Sequence, residues 1–445
     1  MSHFYSRLDG FFQNSRKSWA GLAVFYSVIA SALTLPFMKL HRALSVYDEF
    51  QYIDAVDKAR RWDVVLSGDK TDQYARILAA CRGAGLVPEY TIYQGPCASS
   101  VADTDTFIQG YTSADIHSPL YFFVTAWLSW PLQRLAGLEL LTAARLTGII
   151  WLALGMLVLA WALHRLGAHS AVVIALPIAV ASMPVFRVTN SYVTPDALNL
   201  LAGSLILTSA FLYARGESSP WIFIAASSLF SIVKLQNVFA VVAALLFLFW
   251  RAGASWRSRR AGERMHPGMP DLALMTIIPF LAALSWLVIR RLTGVIVDRP
   301  ALDGPANYTI KSLFTTIDDA VKIIFQGNGG WGISTPESFF VSLLTWGLFA
   351  ALIATAFFDV EASMDERVFA RAGLVSLLAI GPMSIAVFAL VFHAHIDVLS
   401  RYVMVLVPLL CLPAAKRFTR HGSPALVCVF AFAAFAYAVL LRTVN

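Results

Sequence analysis

Two adjacent carboxylates, Asp48 and Glu49, stand just after the first long apolar segment of the chain ends. An ionisable side chain beside such a segment is costly, so it often marks a working site. A helix dipole also favours carboxylates in a first turn, which is the purely structural interpretation. Because adjacent residues cannot share one helix face, we expect one carboxylate to face a cavity as a general base. The other is then expected to hold a structural partner.

Further polar side chains border or interrupt later apolar segments. His117 stands two residues before Pro119, which breaks the chain at the edge of such a segment. Asp196 directly follows a proline, a pattern that helix capping alone explains. Lys234 and Gln236 interrupt an apolar run, where a lysine either snorkels to the surface or binds an anion in a polar cavity.

Arg401 begins another apolar segment and is followed by Tyr402. A guanidinium offers two parallel donors and is therefore well suited to a phosphate. Tyr47 and Tyr52 flank the carboxylate pair and are expected in the same pocket. No Cys/His cluster has the spacing of zinc ligands, and the sequence has no glycine-rich phosphate loop.

The composition places these groups in a membrane. Of the 445 residues, 58% are hydrophobic and only 14% are charged, which indicates an all-α protein with many transmembrane helices. The formal net charge is +7, but the basic residues cluster in short loops between apolar runs. That distribution follows the positive-inside rule and argues against a nucleic-acid partner.

Apolar periodicity predicts about eleven crossings in a single domain, 1–445. The run at 219–251 is too long for one crossing and is divided at Lys234. The predicted apolar segments are 18–38, 142–164, 170–188, 195–214, 219–251, 271–292, 337–358, 370–392, 402–416 and 424–441.

The basic loops fix the expected orientation in the cytoplasmic membrane. They place the N-terminus in the cytoplasm and every candidate group on the outer face. Two long outer loops, 39–118 and 295–336, are expected to carry amphipathic juxtamembrane helices, the first of them over 47–62. The segment 118–138 is apolar enough to cross, but a crossing there would invert the later loops. It is expected to be re-entrant or to lie along the outer interface.

The four cysteines fall into two classes. Cys411 and Cys428 lie within apolar runs and are expected to be inert core residues. Cys81 and Cys97 share one outer loop, so an oxidising compartment would allow them to form a disulfide.

In order and sidedness, these landmarks resemble those of the GT-C integral-membrane glycosyltransferases, in particular the protein O-mannosyltransferase and aminoarabinose-transferase groups. The resemblance covers most of residues 18–416. The landmarks are the acidic pair, His-Ser-Pro-Leu-Tyr at 117–121, Ala-Ala-Arg-Leu at 143–146, Thr-Pro-Asp-Ala-Leu at 194–198, the break at Lys234, and Arg401-Tyr402.

The resemblance implies a polyprenyl-phosphate sugar as donor and a glycan, lipid or protein of the cell envelope as acceptor. Asp48 would be the general base, and Glu49 and Asp196 would shape the pocket. His117, Lys234 and Arg401, with Tyr402, would hold the donor phosphate. The family often has Lys-Pro-Pro or His-Pro-Pro where this chain has His-Ser-Pro. One branch of the family uses a divalent metal, and metal dependence is left open here.

Two other classes of function fit the composition. A transporter or flippase of lipid-linked sugars would be membrane-embedded too, but such proteins commonly contain inverted repeats, and none is evident here. A non-catalytic subunit of envelope biosynthesis is the third possibility. Mutation of Asp48 would separate it from an enzyme.

Overall fold

The computed structural model describes residues 15–45, 48–83, 93, 95–258, 267–295, 316–317, 321, 324–326, 335–387 and 399–441. Within these ranges the chain is helical, and the only β pairings are two isolated bridges, Lys70 with Tyr111 and Tyr93 with Thr106. Eight of the helices there are long and apolar enough to cross a membrane, and three shorter ones are also apolar. The predicted all-α, polytopic membrane architecture is confirmed, whereas the number of crossings stays a prediction.

The α-helices are numbered in chain order over the described residues. They are α1 (Ser15–Leu40), α2 (Glu49–Arg60), α3 (Gln73–Arg82), α4 (Leu120–Ala136), α5 (Leu140–Arg165), α6 (Ser170–Ala181), α7 (Pro184–Thr189), α8 (Asn199–Ala214), α9 (Pro220–Val233), α10 (Val238–Ser258), α11 (Met269–Thr293), α12 (Thr335–Phe357), α13 (Met364–Val387), α14 (Ser400–Val403), α15 (Val407–Arg420) and α16 (Pro424–Ala436).

Two of the helical runs are interrupted, and the predicted site residues Lys234 and Arg401 lie at these interruptions. Helix α9 ends at Val233, Lys234 has an extended backbone, and a 3₁₀ turn over Leu235–Asn237 leads into α10. The predicted division of this long run at Lys234 is therefore confirmed. A second 3₁₀ turn, Met404–Leu406, separates α14 from α15.

Helix α8 lies at the centre of the bundle. Together with the 3₁₀ turn Pro195–Leu198 that precedes it, it forms a span whose apolar window is 94% buried. It packs against α5, α9, α10 and α15. Helix α11 lies at the periphery, with only 28% of its window buried, so most of its apolar side chains face outward. Outward-facing apolar side chains match a hydrocarbon surrounding.

The charged loops at one end of the bundle pair with each other. Arg251 contacts Asp365, Arg420 lies 2.9 Å from Glu366, and Lys416 Nζ donates to the Leu166 carbonyl at 2.7 Å. These are the basic loops that the sequence assigns to the cytoplasm. Every described candidate site residue lies near the opposite end.

The described residues of 48–118 form a unit at that opposite end. Helix α2 is almost wholly buried, because α3, α4 and the 3₁₀ turns that precede α4 pack around it. Asp54 and Lys58 of this helix are 1% and 5% exposed and lie 2.9 Å apart. Burial raises the pKa of Asp54 to about 6, against the opposing effect of Lys58. Only the far end of the helix is exposed, at Arg60.

The segment at 118–138 forms α4, a helix of 17 residues that packs on α2 and α5. It exposes Trp127, Trp130 and Leu135. Its re-entrant or interfacial placement stays a prediction. Cys81 and Cys97 form a disulfide within the same unit, and it joins the end of α3 to the loop before the 3₁₀ turns.

Candidate functional site

Glu49 is enclosed by donors. Arg145 of α5 approaches with two nitrogens, Nε at 2.8 Å from Oε1 and Nη2 at 2.7 Å from Oε2. The backbone nitrogens of Ser45 and Val193 donate to Oε2 and Oε1 at 2.8 and 3.0 Å. The side chain is fully buried. With each oxygen accepting two hydrogen bonds, Glu49 joins three parts of the chain and has no capacity left for a substrate proton.

Asp48 has the opposite environment. It precedes α2 with a left-handed backbone, φ 62°, which asparagine and aspartate tolerate better than most residues but which still carries strain. Its side chain is 30% exposed. Arg401 Nη2 donates to Asp48 Oδ2 at 3.1 Å, and the Tyr52 hydroxyl lies 3.5 Å from the same oxygen. Asp48 is therefore an accessible carboxylate held beside a guanidinium.

Asp196 and Lys234 form a buried ion pair next to Arg401. Both side chains are almost fully buried, at 3% and 2% exposed. Asp196 Oδ2 accepts from the Thr194 hydroxyl at 2.8 Å and lies 3.8 Å from Arg401 Nη1. Asn199 Nδ2 donates to the Arg401 carbonyl at 2.7 Å. Arg401 thus bridges a partly exposed carboxylate, Asp48, and a buried one, Asp196, and its own carbonyl is bonded to Asn199 of α8.

The local sequence explains the position of Asp196. The Thr194 hydroxyl caps the 3₁₀ turn by accepting a hydrogen bond from the Asp196 nitrogen at 3.2 Å. Pro195, at the first position of the turn, has no N–H group that would need an acceptor. The Thr194 nitrogen donates to the Tyr121 hydroxyl at 3.1 Å. The segments 117–121 and 194–198, which are distant in sequence, therefore meet at one place.

His117 is linked to Asp48 through the Tyr52 hydroxyl. Its Nε2 is 3.1 Å from the Tyr52 hydroxyl, and the two rings are in contact. Burial, reinforced by the charge of Lys234, lowers the pKa of His117 to about 3. Burial also raises the pKa of Tyr52 well above its ordinary value. Both groups are therefore neutral near pH 7.

The structure brings most of the predicted site residues together. Asp48, Tyr52 and His117 form one connected line. Asp196, Lys234, Arg401 and Tyr402 form the other, with Tyr402 3.4 Å from Arg401 and its ring 5.7 Å from Lys234 Nζ. Gln236 is half-buried in the turn after Lys234. Tyr47 lies outside the described residues. Glu49 belongs to the separate pair with Arg145.

Two buried ion pairs near this end were not predicted. Asp115 is fully buried and accepts from Arg290 Nε at 2.6 Å, which ties the residues before His117 to α11. Arg187 and Glu337 lie 2.5 Å apart at 2% and 4% exposed. The sequence could have indicated both pairs through the arginines within apolar segments, because a buried arginine requires an anionic partner. Sequence alone could not say which carboxylate supplies it.

No three His, Cys, Asp or Glu side chains among the described residues are grouped so that they could hold a metal ion.

Comparisons with known proteins give one structural likeness. The fold is similar to the crystal structure of ArnT from Cupriavidus metallidurans bound to undecaprenyl phosphate, with 15% sequence identity and a TM-score of 0.38 over 96% of this chain and 79% of that chain. No protein-family model and no curated protein matches the chain. At this identity and TM-score the likeness assigns no activity, and the function proposed below rests on residues of this chain.

Proposed function

We propose that the protein is a glycosyltransferase of the GT-C type, which moves one sugar from a polyprenyl-phosphate donor to a hydroxyl group. The acceptor would be a glycan, lipid or protein at the outer face of the cytoplasmic membrane. The observation that carries the proposal is the contact of Asp48 with Arg401. It places an accessible carboxylate 3.1 Å from a guanidinium, at the end of the bundle opposite the basic loops.

Asp48 supplies the general base. Its carboxylate takes the proton of the acceptor hydroxyl as that oxygen bonds to the anomeric carbon of the sugar. The bond from the anomeric carbon to the phosphate oxygen breaks, and its electron pair stays on the polyprenyl phosphate. Attack opposite the leaving group inverts the anomeric configuration. Backbone strain at Asp48 supports this role, since strained residues cluster at functional sites.

Arg401 supplies the group that stabilises the departing phosphate. Its guanidinium can direct two donors at phosphate oxygens, and it is more accessible than Lys234, at 12% against 2% exposed. Lys234 is engaged with Asp196 and lies 3.5 Å from the Arg401 carbonyl. We therefore assign Lys234 and Asp196 to holding Arg401 in place, which revises the expectation that Lys234 itself binds phosphate.

The test is Asp48→Asn in purified full-length protein, assayed with a polyprenyl-phosphate sugar. The amide keeps the shape but cannot take a proton, so we expect transfer to fall by about 10²–10⁴. Asp57→Asn is the matched control, because Asp57 lies on the same helix and, among the described residues, forms its ion pairs with the exposed Arg60 and Arg61. It should retain activity.

Near wild-type turnover in folded Asp48→Asn protein would falsify the assignment of the base. Wild-type protein that moves the intact donor across vesicles without transferring sugar would instead favour a transporter. Binding without either activity would indicate a non-catalytic subunit.

A further inference from the structure

A line of three polar side chains leads away from Asp48. Tyr52 lies one helical turn after Asp48, so the two side chains share a helix face. Its hydroxyl is 3.5 Å from Asp48 Oδ2 and 3.1 Å from His117 Nε2. Tyr52 and His117 are 4% and 8% exposed. The hydroxyl is therefore placed between a carboxylate oxygen and an imidazole nitrogen, away from solvent.

The line ends beside a small cavity. His117 Nδ1 is buried and makes no hydrogen bond to any of the described residues. His117 also lines a cavity of about 10 Å³, which is about the space that one water molecule requires. The other lining residues are Ala55, Ala59, Asp63, Val65, Ala114, Pro119 and Phe122. Asp63 is exposed, so this wall reaches the surface.

We propose that Tyr52 and His117 carry the proton away from Asp48 after each transfer, an inference that rests on the glycosyltransferase function proposed above. The protonated Asp48 gives its proton to the Tyr52 oxygen while the Tyr52 hydroxyl proton passes to His117 Nε2. The imidazolium then releases its Nδ1 proton to water in the cavity. Asp48 is again a carboxylate, Tyr52 is again a phenol, and His117 is left as the Nε2–H tautomer. Rotation of the ring brings Nε2–H to the cavity water, where Nε2 loses its proton and Nδ1 gains one, which restores the starting tautomer.

The surroundings of His117 favour such a relay. The low pKa of the ring keeps it neutral between turnovers, and in the Nδ1–H tautomer the Nε2 lone pair can accept a proton from Tyr52. The same surroundings make the imidazolium short-lived, which promotes release to water. The charged groups that act on the ring come from separate elements and are Lys234, Asp196, Arg401 and Arg290. The relay reaches solvent at the cavity wall that the exposed Asp63 forms.

The experiment compares the first turnover with later turnovers. Full-length protein in nanodiscs is mixed rapidly with a synthetic polyprenyl-phosphate sugar and a hydroxyl acceptor. In His117→Gln and Tyr52→Phe, the first transfer should stay within about twofold of wild type, because Asp48 starts as a carboxylate. Steady-state turnover should fall about 10²-fold, the lower end of the range for loss of a proton-transfer group.

Tyr26→Phe is the matched control. It removes a buried tyrosine hydroxyl that donates to the Val173 and Ile174 carbonyls at 3.2 and 3.1 Å, far from Asp48 in the fold. The ratio of first to later turnovers should equal that of wild type.

Equal losses in the first and later turnovers would place Tyr52 and His117 in binding or chemistry and overturn the relay. Unchanged steady-state turnover in either folded variant would overturn it too. These results differ from failure of the proposed function, in which wild-type protein itself transfers no sugar. Two variants are used so that misfolding of one leaves the other to decide.

Discussion

Asp48 and Glu49 are neighbours in sequence but differ in what they can do. Glu49 is fully buried, and each of its carboxylate oxygens accepts two hydrogen bonds. Protonation of Glu49 would therefore weaken its ion pair with Arg145. Asp48 is partly exposed, and it contacts Arg401 and Tyr52. Charge alone therefore does not identify the base at this site. The number of donors around each carboxylate supports Asp48 rather than Glu49 as the proposed base.

Arg401 is predicted to act through the geometry of its guanidinium. Arg401→Lys should impair transfer although the charge is kept, and Arg401→Ala should impair it more, because an ammonium cannot form two parallel bonds to phosphate. Lys234→Ala should give a smaller loss, since its effect reaches the donor through Asp196 and Arg401. Initial rates at limiting donor are the measurement. Full activity in both alanine variants would place the phosphate elsewhere.

Glu49→Gln is predicted to damage folding rather than chemistry. It leaves Arg145, 5% exposed, without its anionic partner, and breaking a buried pair costs about 3–5 kcal/mol. Glu139→Gln is the control, because the Glu139 side chain is 37% exposed in its pair with Arg82 and such pairs contribute about 1 kcal/mol or less. The readout is the thermal unfolding midpoint in detergent. A stable but inactive Glu49→Gln protein would instead make Glu49 the base.

At the scale of elements, the site is built where helices are interrupted. Lys234 lies between α9 and α10, Asp196 lies in the turn before α8, and Arg401 lies in the short α14. An interrupted helix leaves backbone carbonyls without helical partners, and side chains must satisfy them inside a membrane. The Arg401 carbonyl accepts from Asn199 and Lys234 in this way. The helix interruptions therefore need polar side chains as hydrogen-bond donors, and they place those side chains at the site.

Close packing of α8 against the turn after α14 depends on Gly203. A Cβ at this position would overlap the Val405 carbonyl oxygen. Gly203→Ala should therefore destabilise the protein by about 1–3 kcal/mol and lower transfer, because it displaces the turn that follows Arg401. Gly347→Ala is the control, since nothing lies within 4 Å of a Cβ at that helical position. Unfolding midpoints and rates of both variants are the measurement; equal behaviour would contradict the role of Gly203.

At the scale of the whole molecule, charge divides the bundle into two ends. The basic loops and their acidic partners lie at one end, and the cluster around Arg401 lies at the other. Positively charged loops are retained on the cytoplasmic side. The proposed site is therefore predicted to face the outer compartment, where the Cys81–Cys97 disulfide would be stable.

Single cysteines can test this orientation in intact cells. Thr104 and Glu361 are both exposed and lie at opposite ends of the bundle. Thr104→Cys should react with a membrane-impermeant maleimide in intact cells, whereas Glu361→Cys should react only after the membrane is opened. The opposite pattern would invert the topology and place the proposed site in the cytoplasm.

The sequence by itself determined the helical, membrane-embedded class, the break at Lys234 and the residue types of the site, because hydropathy and chain interruptions are local properties. Only the tertiary structure decided the partners. Arg145 lies 96 residues from Glu49 in sequence, and Asp48 lies 353 residues from Arg401. A pairing at such separations depends on how the helices pack. The burial of each side chain depends on the same packing. Helix α2, predicted to lie on the membrane surface, is buried because neighbouring elements pack against its polar face.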